Sequence, residues 1–245
     1  NDKNADLTLN GIIDFNGPAP RFNLIADIKK ADFKNLNLTK DSLGFTGKLN
    51  FDFTSNSIDN FVGEARITDA AISKGGLTIP FDSLVITSKD VDGGRKLDIY
   101  SNEFEGTFTG DFSLTDLPNA FTYLLNKYYP AYVAPPRKFP KNQDITFDIK
   151  TYYVDDYLQI LSPAITGFNN STLVGNFNLA KNEINVLANV PQMKFKKYNF
   201  DNVTLRANGN LSSLAVTGEA YNIRLNDSLN IPMVSFSVDA RNDSS

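Results

Sequence analysis

Two glutamates in the middle of the chain have the spacing that comes nearest to a catalytic pair. Glu103 and Glu105 flank Phe104, and paired carboxylates serve glycosidases as general acid and nucleophile. Residues two apart in an extended strand share one face, and the face opposite Phe104 is the polar one. We therefore interpret both carboxylates as solvated side chains and predict no catalytic residue here.

Composition excludes most other chemistry. The 245 residues contain no Cys and no His, which removes thiolate zinc sites, cysteine nucleophiles and the commonest general base. The run Asp90–Gly94 begins like a calcium loop but lacks the later ligands of one, so it is interpreted as a turn. We expect no enzymatic activity, no cofactor and no metal.

The charge pattern argues against a nucleic-acid partner. The net charge is -4, from 24 basic and 28 acidic residues. The densest basic groups are Lys194/Lys196/Lys197 and Arg137-Lys138, and both are too small for a nucleic-acid footprint. We interpret them as solvated faces.

Alternation with a period of two is the dominant pattern. From Leu43 to Phe53 every odd-numbered residue is apolar or Gly, and from Phe104 to Leu114 every even-numbered one is. Such alternation places one face of a strand in an apolar environment and the other in water. The same pattern recurs over residues 22–28, 145–149, 173–179, 184–190, 205–211, 214–220 and 229–233.

The predicted fold is therefore mainly β: a long curved antiparallel sheet, of the β-taco or repeating β-groove kind, with two short helices. About twenty strands of roughly seven residues are expected. One helix has its apolar residues at helical spacing from Leu117 to Tyr128, with Asp116 as its N-cap and Pro118 in its first turn. The other covers Asp155 to Leu161. Both are expected to pack over the apolar face, either as a lid or plug or as plain core-covering helices.

The chain is predicted to be organised in three blocks. Residues 1–115 and 164–245 form two β-groove blocks, and residues 116–163 form a helix-loop-strand-helix insert between them. The strand entries Asp41-Ser42-Leu43 and Asp82-Ser83-Leu84 lie 41 positions apart, which indicates stacked repeats. No apolar run is long enough to span a bilayer, and the chain is expected to be an internal piece of a longer protein.

These features resemble a known family. The run Asp14–Leu24 followed by Lys30–Leu38, and the helix end Leu125–Pro130, are similar to the TamB-like translocation and assembly modules of Bacteroidota, in the AsmA/TamB superfamily. The resemblance implies a segment of an inner-membrane-anchored periplasmic protein with an apolar trough, which carries phospholipids between membranes and supports outer-membrane assembly. It implies phospholipid acyl chains as ligands, and a BamA-like outer-membrane barrel protein as a partner reached through regions outside this segment.

The expected lining of the trough follows from the apolar face of the strands. Gly106 and Gly110, interleaved with phenylalanines, fit a strongly bent strand that needs small residues on its concave side. The ten residues expected to line the trough are Phe45, Leu49, Phe51, Phe53, Phe104, Phe108, Phe112, Phe147, Phe177 and Leu205.

Two other functions remain open at this stage. A scaffold or chaperone for nascent outer-membrane β-barrel proteins would accept client strands at its sheet edges. A filled β-sandwich recognition module would use the same Phe/Gly pattern only for packing.

Overall fold

In a computed structural model, the residues described are 3–37, 39–40, 42–57, 59–141, 143–161, 164–210, 212–226 and 229–241. Asp41, one of the two aspartates of the predicted repeat, lies outside them. The described elements are β1 Ala5–Asp14, β2 Arg21–Asp32, β3 Gly44–Thr54, β4 Val62–Lys74, β5 Leu77–Val91, β6 Gly94–Ser101, β7 Phe104–Gly110, α1 Leu117–Tyr128, β8 Asp144–Thr151, α2 Asp155–Leu161, β9 Ile165–Gly167, β10 Thr172–Asn178, β11 Glu183–Phe195, β12 Tyr198–Gly209, β13 Leu214–Asn226 and β14 Leu229–Ala240.

The strands form one open antiparallel sheet, which confirms the prediction of a mainly β fold with two short helices. Their order in the sheet follows the chain from β1 to β14, except that the short β9 pairs with β11 off the main path. The prediction of about twenty strands was wrong, since the described residues form a 14-stranded sheet. The strands are fewer because they are longer than assumed, up to the 15 residues of β5.

The chain divides into two compact units. The first contains Asn1–Asp90 and Leu97–Glu105, and the second contains Val91–Lys96 and Gly106–Ser245. The three-block division of the chain stays a prediction.

In the first unit, strand register aligns apolar side chains in rows across the sheet. Phe53 of β3 lies opposite Phe22 of β2 and Gly63 of β4, and Phe51 lies opposite Leu24 and Ala65. Directly opposed residues share a face, so these rows form one apolar surface. The other surface carries exposed ion pairs, among them Arg21–Asp52 at 3.3 Å and Lys48–Asp69 at 2.8 Å.

The second unit repeats this arrangement over β8 and β10–β14. One row runs from Ile145 of β8 through Phe177, Ile184, Gly209 and Leu214 to Ala240 of β14. The next row runs through Phe147, Gly175, Val186, Ala207, Val216 and Val238. Helix α1 packs on these rows, where Leu124 and Tyr128 form a buried cluster with Ile184 and Ala240.

The helix bounds agree with the sequence prediction, but the start of α1 differs from it in one respect. Pro118 lies in the first turn as expected, whereas the Asp116 side chain makes no capping hydrogen bond. Its carboxylate instead accepts hydrogen bonds from the Asn119 side-chain amide and from the backbone N–H of Lys141. Asp116 is thus the N-cap residue, as predicted, but its side chain caps none of the free N–H groups of the first turn. Within the described residues, neither helix is long and apolar enough to cross a membrane.

Bulges keep the apolar side chains on one face where the alternation changes phase. Between the pairs Phe45–Ile72 and Leu49–Ile67, β4 contains one residue more than β3. The pairing of β12 with β13 shifts in the same way at two places, with an extra residue in β12 near Asn202 and an extra residue in β13 near Asn222. Asp69, Asn202 and Asn222 have φ of 49°, 47° and 47°, in the left-handed region that Asn and Asp tolerate best after Gly. An Asp or Asn thus lies at each of these shifts.

Replacement of Gly110, at the end of β7, is expected to destabilise the protein. Its φ is +133°, and a Cβ there would lie 2.1 Å from the backbone oxygen of Asp144. We expect Gly110→Ala to lower the free energy of unfolding by about 2–4 kcal/mol, because the backbone must shift to relieve the contact. The measurement is urea denaturation of both proteins.

Gly93 provides the matched control, because its φ is +83° and a Cβ there would meet nothing within 4 Å. Gly93→Ala should cost only about 1 kcal/mol, from backbone strain alone. Equal losses for the two variants would show that the close approach to Asp144 is unimportant.

Candidate functional site

An apolar cavity of about 440 Å³ lies between α1 and the apolar face of the sheet, entirely within the second unit. Its roof is one side of α1, and its floor is formed by β7, β8 and β10–β13. The residues that line it are Phe108, Leu117, Phe121, Leu124, Leu125, Tyr128, Ile145, Phe147, Ile149, Leu173, Phe177, Ile184, Val186, Ala207 and Leu214.

The helix contributes a stripe that faces the sheet. Leu117, Phe121, Leu124, Leu125 and Tyr128 recur at three- and four-residue intervals, which places them on one side of a helix. Leu124 and Tyr128 are buried, whereas Phe121 is 65% exposed and Leu125 is 39% exposed. The cavity is therefore closed on the Leu124–Tyr128 side and borders solvent near Phe121 and Leu125.

The floor is produced by the strand register. Ile145, Phe147 and Ile149 alternate along β8, so their side chains point to the same face. The paired residues of β10 and β11 continue that face, with Phe177 and Ile184 in the row of Ile145. Gly175 lies in the row of Phe147, and a Cβ there would come within 2.7 Å of the Phe147 ring. The phenylalanine ring thus occupies the space above a glycine.

Among the described residues that line the cavity, Tyr128 supplies the only polar side-chain atom. Its hydroxyl donates a hydrogen bond to the backbone oxygen of Asn210. Burial raises the pKa of Tyr128 to about 12, because the phenolate is disfavoured away from water. With that hydroxyl occupied, the cavity presents hydrocarbon alone.

The arrangement suits binding of an apolar group. Ligand cavities are typically about 300–1,000 Å³, and an apolar cavity holds water poorly because water finds no partners in it. Among the described residues, no three acidic side chains gather in a group that could hold a metal ion.

Three of the ten predicted lining residues, Phe108, Phe147 and Phe177, meet in this cavity. Two others belong to the same unit but do not line it. Leu205 is partly buried in a row between Ala188 and Gly218. Phe112 is buried beneath the guanidinium of Arg95, which lies 4.3 Å from the ring centroid.

The other five predicted residues, Phe45, Leu49, Phe51, Phe53 and Phe104, belong to the first unit, where all are partly buried. Phe53 is the centre of an aromatic cluster, with ring centroids 5.1 Å from Phe22, 5.8 Å from Phe51 and 5.8 Å from Phe61. Phe45 stacks on Phe33 at 6.1 Å. These rings contact one another on the apolar face of that unit.

The prediction omitted the helix from the lining. The sequence shows that α1 has an apolar stripe, but a stripe alone does not indicate which strands it covers. The aliphatic floor residues Ile145, Ile184, Val186 and Leu214 are also absent from the prediction, although all four lie in segments with the alternating pattern. The signal for them is the face that they share with Phe147 and Phe177.

Comparison with known proteins does not identify the chain. No protein-family model, curated protein or solved structure matches it. The resemblance to TamB-like proteins therefore rests on the sequence features alone.

The buried Tyr128 hydroxyl is expected to make the protein sensitive to alkali. Its pKa is about 12 in the folded chain against 10.0 for the free side chain, so its contribution to stability is complete below about pH 10 and is lost as the pH rises toward about 12. Between about pH 9 and about pH 11.5 the wild type should lose roughly 1–2 kcal/mol more unfolding free energy than Tyr128→Phe. Urea denaturation across this range measures the difference.

All other titrating groups are common to the two proteins and cancel in that comparison. Parallel stability curves for wild type and Tyr128→Phe would mean that the hydroxyl is accessible to water.

Proposed function

We propose that this chain is a lipid-binding segment, which holds phospholipid acyl chains against the apolar face of its sheet. The observation that carries the proposal is the cavity of about 440 Å³ beneath α1. Its lining is hydrocarbon apart from a hydroxyl that already has a partner. An acyl chain satisfies such a lining, whereas a polar ligand would lose its hydrogen bonds to water without replacement.

Energetics favour an acyl chain over an empty or water-filled space. Each methylene transferred from water to an apolar site contributes about 0.8 kcal/mol. The opening near Phe121 and Leu125 would let a headgroup stay in water while its chain lies inside. Binding without covalent chemistry is part of the proposal, because none of the described lining side chains is a carboxylate, an amine or a thiol.

The first unit also has an apolar surface that suits this function. Its apolar rows are formed by side chains of β1–β4. Leu7, Leu9 and Ile13 of β1 continue these rows and are 51%, 56% and 43% exposed. Exposed apolar surface of this kind is typical of a binding surface.

The cellular setting is proposed from the resemblance alone. A TamB-like segment would lie in the periplasm, as part of an inner-membrane-anchored envelope protein that carries lipids between membranes. Its support of outer-membrane assembly would involve a BamA-like barrel protein, bound through regions outside this segment.

A scaffold for nascent outer-membrane β-barrel proteins is the second candidate. It is favoured by the open ends of the sheet, because β1 and β14 each pair with a neighbouring strand on one side only among the described residues. Such edges offer N–H and C=O groups to an added strand.

The lipid proposal is tested by mass spectrometry of an organic extract from the purified protein, after incubation with phospholipid vesicles. We expect phospholipid in the wild-type extract. Phe108→Glu should reduce the recovered lipid at least about tenfold, because a carboxylate in the apolar lining must be desolvated when an acyl chain enters.

Two variants show where the lipid lies. Phe236→Glu makes the same change on the second unit's sheet at a residue outside the cavity lining, which is 46% exposed, and it should retain lipid. Phe51→Glu makes the same change in the first unit. A decrease in recovered phospholipid for this variant would show that the first unit binds lipid as well. A folded wild type that carries no phospholipid would contradict the proposal and leave the strand-accepting scaffold.

A further inference from the structure

The segment made of α1 and the loop after it differs in charge from the rest of the molecule. From Leu117 to Gln143 the chain has no acidic residue, whereas it has four basic ones: Lys127, Arg137, Lys138 and Lys141. This local excess occurs in a chain whose net charge is -4. All four basic side chains belong to exposed residues.

Two aromatic side chains of the same loop project into solvent. Tyr132 is 87% exposed and Phe139 is 84% exposed. Large aromatic side chains usually bury most of their surface, and their exposure beside basic residues is typical of surfaces that bind a partner. We call Lys127, Tyr132, Arg137, Lys138, Phe139 and Lys141 the basic aromatic patch.

Contacts along the helix hold the loop in place. The Phe139 ring packs edge-on against Tyr123 of α1, with centroids 5.7 Å apart. The Asn126 side-chain amide donates to the backbone oxygen of Val133 at 2.6 Å, and the Lys141 N–H donates to the Asp116 carboxylate. The Lys127 ammonium lies 5.1 Å from the centre of the Tyr123 ring. The patch is therefore attached to the helix at both ends of the loop.

The loop contains four prolines, which reduce the number of backbone N–H groups that would need partners in an apolar environment. Pro130, Pro135, Pro136 and Pro140 have no backbone N–H. A loop that enters a lipid interface must leave few donors without partners, and these four residues remove one donor each. Proline also limits the conformational freedom that the loop would lose on binding.

From these observations we propose that the basic aromatic patch docks on the surface of an anionic phospholipid membrane. Lys and Arg near such a surface are attracted by the negative headgroups. Tyr and Phe place their rings at the boundary between headgroups and hydrocarbon. Four basic groups are too few for a nucleic-acid footprint.

This inference goes beyond acyl-chain binding and does not require it. Docking would use exposed groups on the loop and the outer side of α1, whereas the acyl chain would lie beneath the helix. Failure of one proposal therefore leaves the other standing, because vesicle binding and lipid extraction report on different residues.

The test is co-flotation of the protein with vesicles of phosphatidylcholine alone and of phosphatidylcholine mixed with phosphatidylglycerol. We expect binding to the mixed vesicles, weakened by added salt, and much weaker binding to phosphatidylcholine alone. The double variant Arg137→Ala/Lys138→Ala should bind the mixed vesicles about 25-fold more weakly, at about fivefold for each charge removed.

Two further variants make the test specific to the patch. Lys194→Ala/Lys197→Ala removes the same net charge from the end of β11 and the turn that follows it, where both lysines are also exposed, and should bind like the wild type. Tyr132→Ala/Phe139→Ala keeps every charge and should still bind more weakly, because it removes the interfacial rings. The substituted side chains are exposed, and circular dichroism verifies that each variant is folded.

Three results would overturn the proposal. The first is no flotation of the wild type with phosphatidylglycerol vesicles. The second is an equal loss of binding for the two lysine and arginine double variants, which would show attraction by overall charge. The third is binding to poly-glutamate as tight as binding to the vesicles, which would assign the patch to an acidic polypeptide.

Discussion

The structure depends on keeping apolar side chains on one face of the sheet from strand to strand. Side chains alternate along a strand, so a slip of one residue in any pairing would turn that strand's apolar set to the opposite face. Paired rows such as Phe22–Phe53–Gly63 and Phe147–Gly175–Val186 satisfy this condition. Near Asp69, Asn202 and Asn222 a bulge restores it, since an extra residue with positive φ reverses the phase of the strand.

The groups that pack on the apolar face differ between the two units. In the first unit, phenylalanines on the apolar face pack on one another, as Phe53 does with Phe22 of the adjacent strand and with Phe61, which precedes β4. In the second unit α1 covers the face, but its stripe does not fill the space down to the strands. Leu124 and Tyr128 anchor one side of the helix, and the remaining gap is the cavity. An apolar cavity is costly to leave empty, so the gap itself favours a ligand of hydrocarbon character.

The loop after α1 folds back along the helix and contacts it at both ends. Asp116 is the N-cap residue of the helix, but its carboxylate accepts the N–H of Lys141 rather than an N–H of the first turn. That contact, together with the Tyr123–Phe139 ring pair, fastens the loop along the helix and exposes its basic and aromatic side chains. The Asp116 carboxylate thus fixes the returning loop rather than the first turn of the helix. The apolar side of α1 faces the sheet, and the basic aromatic patch lies on the solvent side.

Local patterns in the sequence determined the fold class, the ends of both helices and the apolar face of most strands. These properties follow from periods of two and 3.6 residues, which act over a few neighbours. The number of strands, the bulges and the composition of the cavity were decided by tertiary structure. Phe108, Phe147 and Phe177 meet in the cavity, whereas Leu205, with the same alternation, does not. Leu205 even shares its row with the lining residues Ile149 and Leu173, so the difference lies in how far along that row the cavity extends. That extent depends on where α1 lies on the sheet, and the position of α1 depends on contacts between residues more than 50 apart, such as Leu124 with Ile184.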